Sequence, residues 1–351
     1  MRFGQLVIGG AGSGKSTYVL GVSDLLNQLK RDPVLVNLDC GNGTPPFKAD
    51  IDIRDLIDMD TISSSYDLGP NGALLFSIDQ LLIDFDWLKG EILKCGKDRY
   101  FVFDLPGQVE LFTHSSLIAR LVHRLVKECD FQFVIVHMTD SFLCIDRFSY
   151  LSALLLGLSS AARLELPFLG VLSKIDLMKG FKDDLAVSMR SALLTFGEGS
   201  SMTIAEALFP ENKYSDQVCH PLEKKYAKLP IALCELVEEY GTGAMLPLAV
   251  EDKELMLRVL AACDKANGYS ANRKDGLSLP EDRGSLEEYL GELEEKFLYD
   301  ISEQGICGAC RSPGALTRCG RCKKVSYCDR ECQAEHWKVS HRTNCIKADP
   351  E

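Results

Sequence analysis

Nowhere in its 351 residues does this chain carry an apolar run long enough to cross a membrane or to serve as a signal peptide. It also lacks an excess of positive charge. Lys and Arg number 39 against 51 Asp and Glu, a formal net charge of −12, which argues against general binding of nucleic acid or other polyanions. A soluble intracellular protein is expected. Cysteine is thin over most of the length: of 14 in all, seven are scattered singly through apolar or helical stretches, where a thiol serves as a small buried hydrophobe. The other seven crowd the last 45 residues in close pairs, the distribution of metal ligands in a reducing compartment and not of a disulfide framework. With 46% hydrophobic residues the chain can bury one large core plus a small satellite domain.

What is present is concentrated near the amino end. Gly9, Gly10, Ala11, Gly12, Ser13, Gly14, Lys15 and Ser16 fit the phosphate-loop spacing G-x-x-x-x-G-K-[S/T], directly after the apolar run Leu6-Val7-Ile8. Glycines let consecutive N–H groups and a helix N-terminus, with Thr17 in its first turn, face a nucleotide's phosphates. Lys15 then reaches the β- and γ-phosphates, and the Ser16 hydroxyl is placed to ligate Mg²⁺.

Short apolar runs recur at residues 5–8, 34–38, 100–103, 131–137 and 168–172, separated by helix-period segments, with a further strand candidate at 244–250. That alternation predicts an α/β fold of the P-loop NTPase class: a mostly parallel sheet covered by helices on both faces, plus a small zinc-stabilised carboxyl-terminal domain. Ligands of such sheets sit at the carboxyl ends of the strands. Asp39, Asp104 and Ser173-Lys174-Ile175-Asp176 all fall at such ends. Asp104-Leu105-Pro106-Gly107 has the D-x-x-G form, in which the carboxylate holds the Mg²⁺ shell and the Gly107 N–H senses the γ-phosphate. Gln108 and Glu110 follow, where an amide or carboxylate orients an attacking water. Ser173, Lys174 and Asp176 supply the [N/T]-K-x-D pattern with Ser in first place, so guanine recognition rests on the Asp176 carboxylate, which accepts from donors that adenine lacks.

Residues 180–240 read as a helical insertion, broken at Phe209-Pro210 and Leu229-Pro230, and a helix from Asp252 to Asn267 closes the first domain. Residues 270–304 form an acidic linker and an amphipathic helix, with Ser285 and Glu288 as a capping pair and Leu286, Tyr289, Leu290, Leu293 and Phe297 on one face that packs on the domain itself. The organisation expected is 1–269, 270–304 and 305–347.

Gly69-Pro70-Asn71, Asp104 to Glu110 and the tail Asp264-Lys265-Ala266-Asn267-Gly268-Tyr269 together resemble the GPN-loop GTPases over residues 3–269. The resemblance implies a homo- or heterodimer of such GTPases in which Gly69, Pro70 and Asn71 reach the partner's nucleotide, Asn71 contacting phosphate in trans, while Asp39, Gln108 and Glu110 position the water. It further implies a GTP/GDP switch in the assembly or nuclear import of RNA polymerase II, working with the polymerase or its assembly factors, cytoplasmic with passage to the nucleus. One departure stands out. Where the family continues Asp-Pro-Ala, this chain reads Asp39-Cys40-Gly41, which predicts a more flexible segment around Asp39.

In the tail, Cys307-x2-Cys310, Cys319-x2-Cys322, Cys328-x3-Cys332 and His341-x3-Cys345 supply eight ligands, the number that two tetrahedral Zn²⁺ need. Spacing alone leaves His336 open as a substitute for His341. The module resembles the MYND-type zinc finger, including Tyr327 and Trp337. That resemblance implies interleaved ligation, with Cys307, Cys310, Cys328 and Cys332 on one zinc and Cys319, Cys322, His341 and Cys345 on the other. Residues 305–351 hold nine Lys or Arg against five Asp or Glu, but seven thiolates and two Zn²⁺ reduce the formal +4 to about +1. That argues against nucleic acid, and the MYND resemblance implies a proline-containing peptide as the ligand. Two other readings stay in view: a P-loop ATPase or kinase, for which no lid-type arginine cluster is evident, and a non-catalytic nucleotide-binding scaffold.

Overall fold

The computed structural model describes residues 1–178, 203–209, 228–240, 245–273, 276, 317–318, 326–327 and 330–337. Two compact units divide the chain, one of residues Met1–Lys174 with Val187–Asp282 and one of Ile175–Ala186 with Arg283–Glu351. Among the described residues no helix is long and apolar enough to cross a membrane.

The first unit is built on strands β1 (Arg2–Gly9), β2 (Pro33–Asn37), β3 (Ile51–Asp52), β4 (Tyr100–Asp104), β5 (Phe131–Asp140), β6 (Phe168–Ser173) and β7 (Met245–Leu248). They form one sheet in the order β3-β2-β4-β1-β5-β6-β7, with every pair parallel. The predicted strands are all present, and β3 is an addition of only two residues, too short to carry a pattern of its own. Register aligns the strand tips: Val7 and Asn37 both pair with Asp104, Gly9 with Met138, and Asp140 with Ser173. Because β1 sends its chain to one side and receives β5 on the other, the crevice at its carboxyl end is a topological switch point.

Period-two alternation sorts the strands' side chains between two helical layers. Leu6, Ile8, Phe101, Phe103, Phe131 and Phe133 join a core with α3 (Pro70–Ile83), α4 (Phe85–Lys94) and α6 (Leu117–Cys129). Their rings meet edge-on or stacked at centroid distances of 4.5 to 6.4 Å. Burying each such side chain contributes about 1.5–3 kcal/mol. The shorter α2 (Met59–Tyr66) precedes α3, and α5 (Glu110–Thr113) and α7 (Arg147–Leu164) complete this part of the chain.

Across the sheet lie α1 (Lys15–Gln28) and α10 (Lys253–Ala266), the latter capped by Asp252, whose side chain accepts from Glu254 and Leu255 N–H. This layer holds a buried polar chain. The Tyr18 hydroxyl donates to Gln5 Oε1 at 2.8 Å, Gln5 Nε2 donates to the Tyr100 hydroxyl at 3.2 Å, and Asn267 Nδ2 donates to the same hydroxyl at 3.1 Å. Arg31 Nη1 meets Asp264 Oδ2 at 2.7 Å with side chains 1% and 0% exposed, and Tyr269, in α11 (Tyr269–Asn272), packs on Phe3 and Tyr100 and beneath the Arg31 guanidinium. The Asp264-to-Tyr269 tail thus closes the domain onto the back of α1.

Of the 180–240 insertion, two helices are described: α8 (Ile204–Leu208), with a Thr203–Glu206 capping box, and α9 (Lys228–Glu239). Phe209 ends α8 as predicted, and Leu229-Pro230 falls within the described part of α9. Among the scattered cysteines, Cys40, Cys129, Cys144, Cys234 and Cys263 are buried and Cys95 is half-buried. The second unit shows strands β8 (Thr317–Arg318) and β9 (Ser326–Tyr327), paired antiparallel, and helix α12 (Arg330–His336). The amphipathic segment around Ser285 to Phe297 lies outside the described residues.

Two stability predictions follow from the buried charges. Asp264→Ala strands the Arg31 guanidinium in the core and is expected to cost about 3–5 kcal/mol in denaturant unfolding. His137, buried on β5, has its pKa lowered to about 4, first by desolvation and then by the Lys15 charge. A depressed histidine leaves the unfolded chain holding more protons below its ordinary pKa, so this contribution is complete above about pH 6.5 and lost as pH falls toward 4. His137→Gln removes that loss: relative to wild type it should gain about 2–3 kcal/mol in stability between pH 7 and pH 4.5, read from unfolding curves at both values.

Candidate nucleotide site

A cleft of about 550 Å³ opens at the switch point. Its floor is Ala11, Gly12, Gly14, Lys15, Ser16 and Thr17, the turn from β1 into α1. The turn is possible because Gly9 adopts φ +144°, where a Cβ would run into the Met138 carbonyl oxygen. Gly14 caps α1 in the left-handed conformation, so the helix presents its first N–H groups to the cleft. Lys15 Nζ donates to the Gly10 carbonyl at 3.0 Å, folded over its own loop. Burial pulls its pKa down, opposed by the charges of Asp104 and Asp39.

Asp104 ends β4 fully buried. The Ser16 hydroxyl donates to its Oδ2 at 2.7 Å, while Oδ1 is buried without a hydrogen-bond partner among the described residues. Desolvation raises its pKa to about 6, against the lowering effects of the Ser16 bond and Lys15. A bare carboxylate oxygen beside a serine hydroxyl is a donor set that suits a hard divalent cation such as Mg²⁺. Gly107 lies three residues on, where a Cβ would stand 2.9 Å from Lys15 Nζ and 3.0 Å from Ala11 Cα. Only glycine fits there without displacing the phosphate loop.

The far wall comprises Asp39, Gly41, Asn42, Asn71, Leu74 and Gln108. Burial raises the pKa of Asp39, offset in part by the Gly41 N–H and Lys15. The expectation of a loose Asp39 segment is corrected. Asp39 N–H donates to Asn37 Oδ1 at 3.1 Å, Gly41 N–H donates to Asp39 Oδ1 at 3.0 Å, and the buried Cys40 thiol donates to Ser77 Oγ at 2.9 Å. Those bonds fix the turn without the stiffness of proline. Gly69, Pro70 and Asn71 form not a free loop but the cap and first turn of α3, with Pro70 in the favoured N1 position. In this single chain Asn71 stands at its own cleft, its Oδ1 accepting from Gln108 Nε2 at 2.6 Å.

On the base side, Ser173 is buried at the end of β6, its Oγ 2.7 Å from the Ser13 carbonyl and 3.1 Å from that of Thr139. Ser173 therefore braces the phosphate loop. Lys174 adopts φ +61°, secured by Nζ on Asp140 Oδ2 at 2.7 Å and by Ser141 Oγ donating to its carbonyl. Asp176 is exposed in the one-turn 3-10 helix Ile175–Met178.

Most of the residues expected at the nucleotide thus converge, while Glu110 is exposed at the start of α5 and is not among the residues lining the cleft. Asn42, whose Nδ2 lies 3.4 Å from Ser16 Oγ, and Leu74 were not anticipated. Asn42 follows Asp39 closely, but no motif spacing marked it. Of the residues expected to hold zinc, Cys332 is described, half-buried on α12; Cys307, Cys310, Cys319, Cys322, Cys328, His341 and Cys345 lie outside the described residues.

Known proteins share this arrangement. A family model described as a conserved hypothetical ATP binding protein matches residues 7–269, and a MYND finger model matches residues 307–345. GPN-loop GTPase 2 of Danio rerio is 37% identical over 269 residues, 77% of this chain and 82% of that protein. GPN-loop GTPase 2 of Saccharomyces cerevisiae is 36% identical over 271 residues, 77% of this chain and 75% of that one. The crystal structure of a GTPase in apo form from Pyrococcus abyssi matches with a TM-score of 0.59 at 21% identity, over 75% of this chain and 97% of that chain, a likeness of fold. Matched span, identity and architecture agree that this chain belongs to the GPN-loop GTPases, with a MYND finger at its carboxyl end.

Proposed function

We propose that the chain is a Mg²⁺-dependent GTP hydrolase that works as a dimeric assembly switch. The observation that carries this reading is the buried Asp104–Ser16 pair, with one carboxylate oxygen left bare, next to a cleft that Lys15, Ser16, Asp39, Asn71 and Gln108 line together. Ser16 and Asp104 would hold Mg²⁺, which supplies charge neutralisation for the phosphates. Lys15 would release the Gly10 carbonyl for the nucleotide's phosphate oxygens, and its desolvation makes the exchange of a neutral acceptor for an anion favourable.

Gln108 gives its Nε2 to Asn71, which leaves its Oε1 to accept from a water. Asp39, made more basic by burial, is suited to take that water's proton. Asp176 would pair with the two donors on the guanine edge. Adenine lacks that pair, and for this reason the guanine reading is preferred to the ATP binding of the family model's description.

Partnering follows the family. A homo- or heterodimer of GPN-loop GTPases would hand Asn71 to the neighbouring cleft, and the Asn71–Gln108 bond is the contact that such a handover breaks. The biological task inferred is RNA polymerase II assembly or import, in the cytoplasm with passage to the nucleus. The finger would hold two Zn²⁺ on Cys307, Cys310, Cys328 and Cys332 and on Cys319, Cys322, His341 and Cys345, and would recruit a proline-containing peptide.

Single-turnover hydrolysis of GTP and ATP tests the enzyme. Gln108→Ala should lose about 10²-fold or more in rate with nucleotide still bound. Asp176→Ala should bind GTP and ATP alike. Equal wild-type turnover of ATP, or wild-type rates in Gln108→Ala, would count against the assignment.

A further inference from the structure

Three residues one turn apart on α3 touch three different parts of the cleft. Asn71 holds Gln108 through the 2.6 Å amide bond. Leu74 packs on the next segment, its methyl groups 3.2 and 3.4 Å from where a Gly41 Cβ would lie. Ser77, wholly buried, accepts from the Cys40 thiol at 2.9 Å, and its own hydroxyl donates to the Leu74 carbonyl at 2.8 Å. Positions 71, 74 and 77 share one helical face, so the helix rather than a loop sets the spacing among these contacts. The Gln108 amide and the Asp39 turn are remote in sequence and are joined by this face.

We propose that α3 is a strut that seats the Asp39 turn for attack on the phosphate, and that Cys40 and Ser77 are its positioning residues. The inference rests on the GTPase reading above and deepens it. It also gives the Asp39-Cys40-Gly41 sequence a physical purpose. A proline after Asp39 would stiffen the turn through its own ring; here the turn has lost that constraint and gained a donor, the thiol, that fastens it to the helix carrying Asn71. Gly41 has no side chain, and so lets Leu74 close against the backbone. The thiol and hydroxyl form a relay, S–H to O–H to C=O, buried away from competing water. Neither residue touches the place where the nucleotide's phosphates would lie, so both act through Asp39.

The test uses the full chain with GTP and Mg²⁺. Ser77→Ala and Cys40→Ala should each lower kcat about tenfold or more, since small misplacements of water-positioning groups are costly, while the Kd for GDP stays unchanged. The double variant should be no slower than either single one, because both remove the same contact. Cys40→Ser keeps a donor for Ser77 and should restore turnover. Amide hydrogen exchange over residues 38–43 should quicken in both alanine variants and not in Cys40→Ser. Unchanged kcat in the alanine variants, losses matched by a weaker Kd, or additive losses in the double variant would overturn the strut. Wild-type protein that binds but does not turn over GTP would overturn the proposed function instead; exchange then decides the strut alone, and no quickening in Ser77→Ala and Cys40→Ala would sink it.

Discussion

A carboxylate held in the dry end of a β-sheet is the constraint around which this protein is organised. Asp104 is fully buried, with one oxygen satisfied by Ser16 and the other without a partner among the described residues. Leaving an anion so placed costs several kcal/mol unless a cation or a proton answers it. Its raised pKa and the proximity of Lys15 are two partial answers. The flanking sequence obeys the same demand. Phe101 and Phe103 remove water from one side of β4, and Gly107 keeps the following turn thin enough for the phosphate loop to lie alongside.

The back of the domain is built to keep that arrangement from yielding. α1 carries the phosphate loop's lysine and serine at one end, and its opposite flank is bound through Tyr18, Gln5 and Tyr100 to Asn267. Arg31 and Asp264 seal the same seam with a desolvated ion pair. A hydrogen-bonded polar network of this kind favours one packing, where a purely apolar interface would tolerate several.

Much of this was legible in the sequence. The phosphate loop, the D-x-x-G turn and the Lys174 region each have a fixed spacing because backbone geometry at a strand tip allows few alternatives, and hydrophobic alternation announced the strands that carry them. Two-residue β3 gave no signal, since a pattern of period two needs several residues to appear. The largest misreading, at Cys40, concerned a contact with Ser77 across 37 positions. Local propensity sees a lost proline there; it does not see the hydroxyl that the fold brings to the thiol. Asn71 was legible as a candidate site residue, but its position in its own chain's cleft depends on where α3 docks, which no local pattern encodes.

The Ser173 hydroxyl lies within bonding distance of two carbonyls, Ser13 on the phosphate loop and Thr139 on β5, and it has one proton to give. Rotation about a single bond therefore moves support from one to the other. An asparagine, with two N–H groups, could serve both at once. The serine converts a fixed brace into a rotor, so that the grip on phosphate and the seat of the neighbouring strand compete for the same hydrogen, and loosening either one tightens the other.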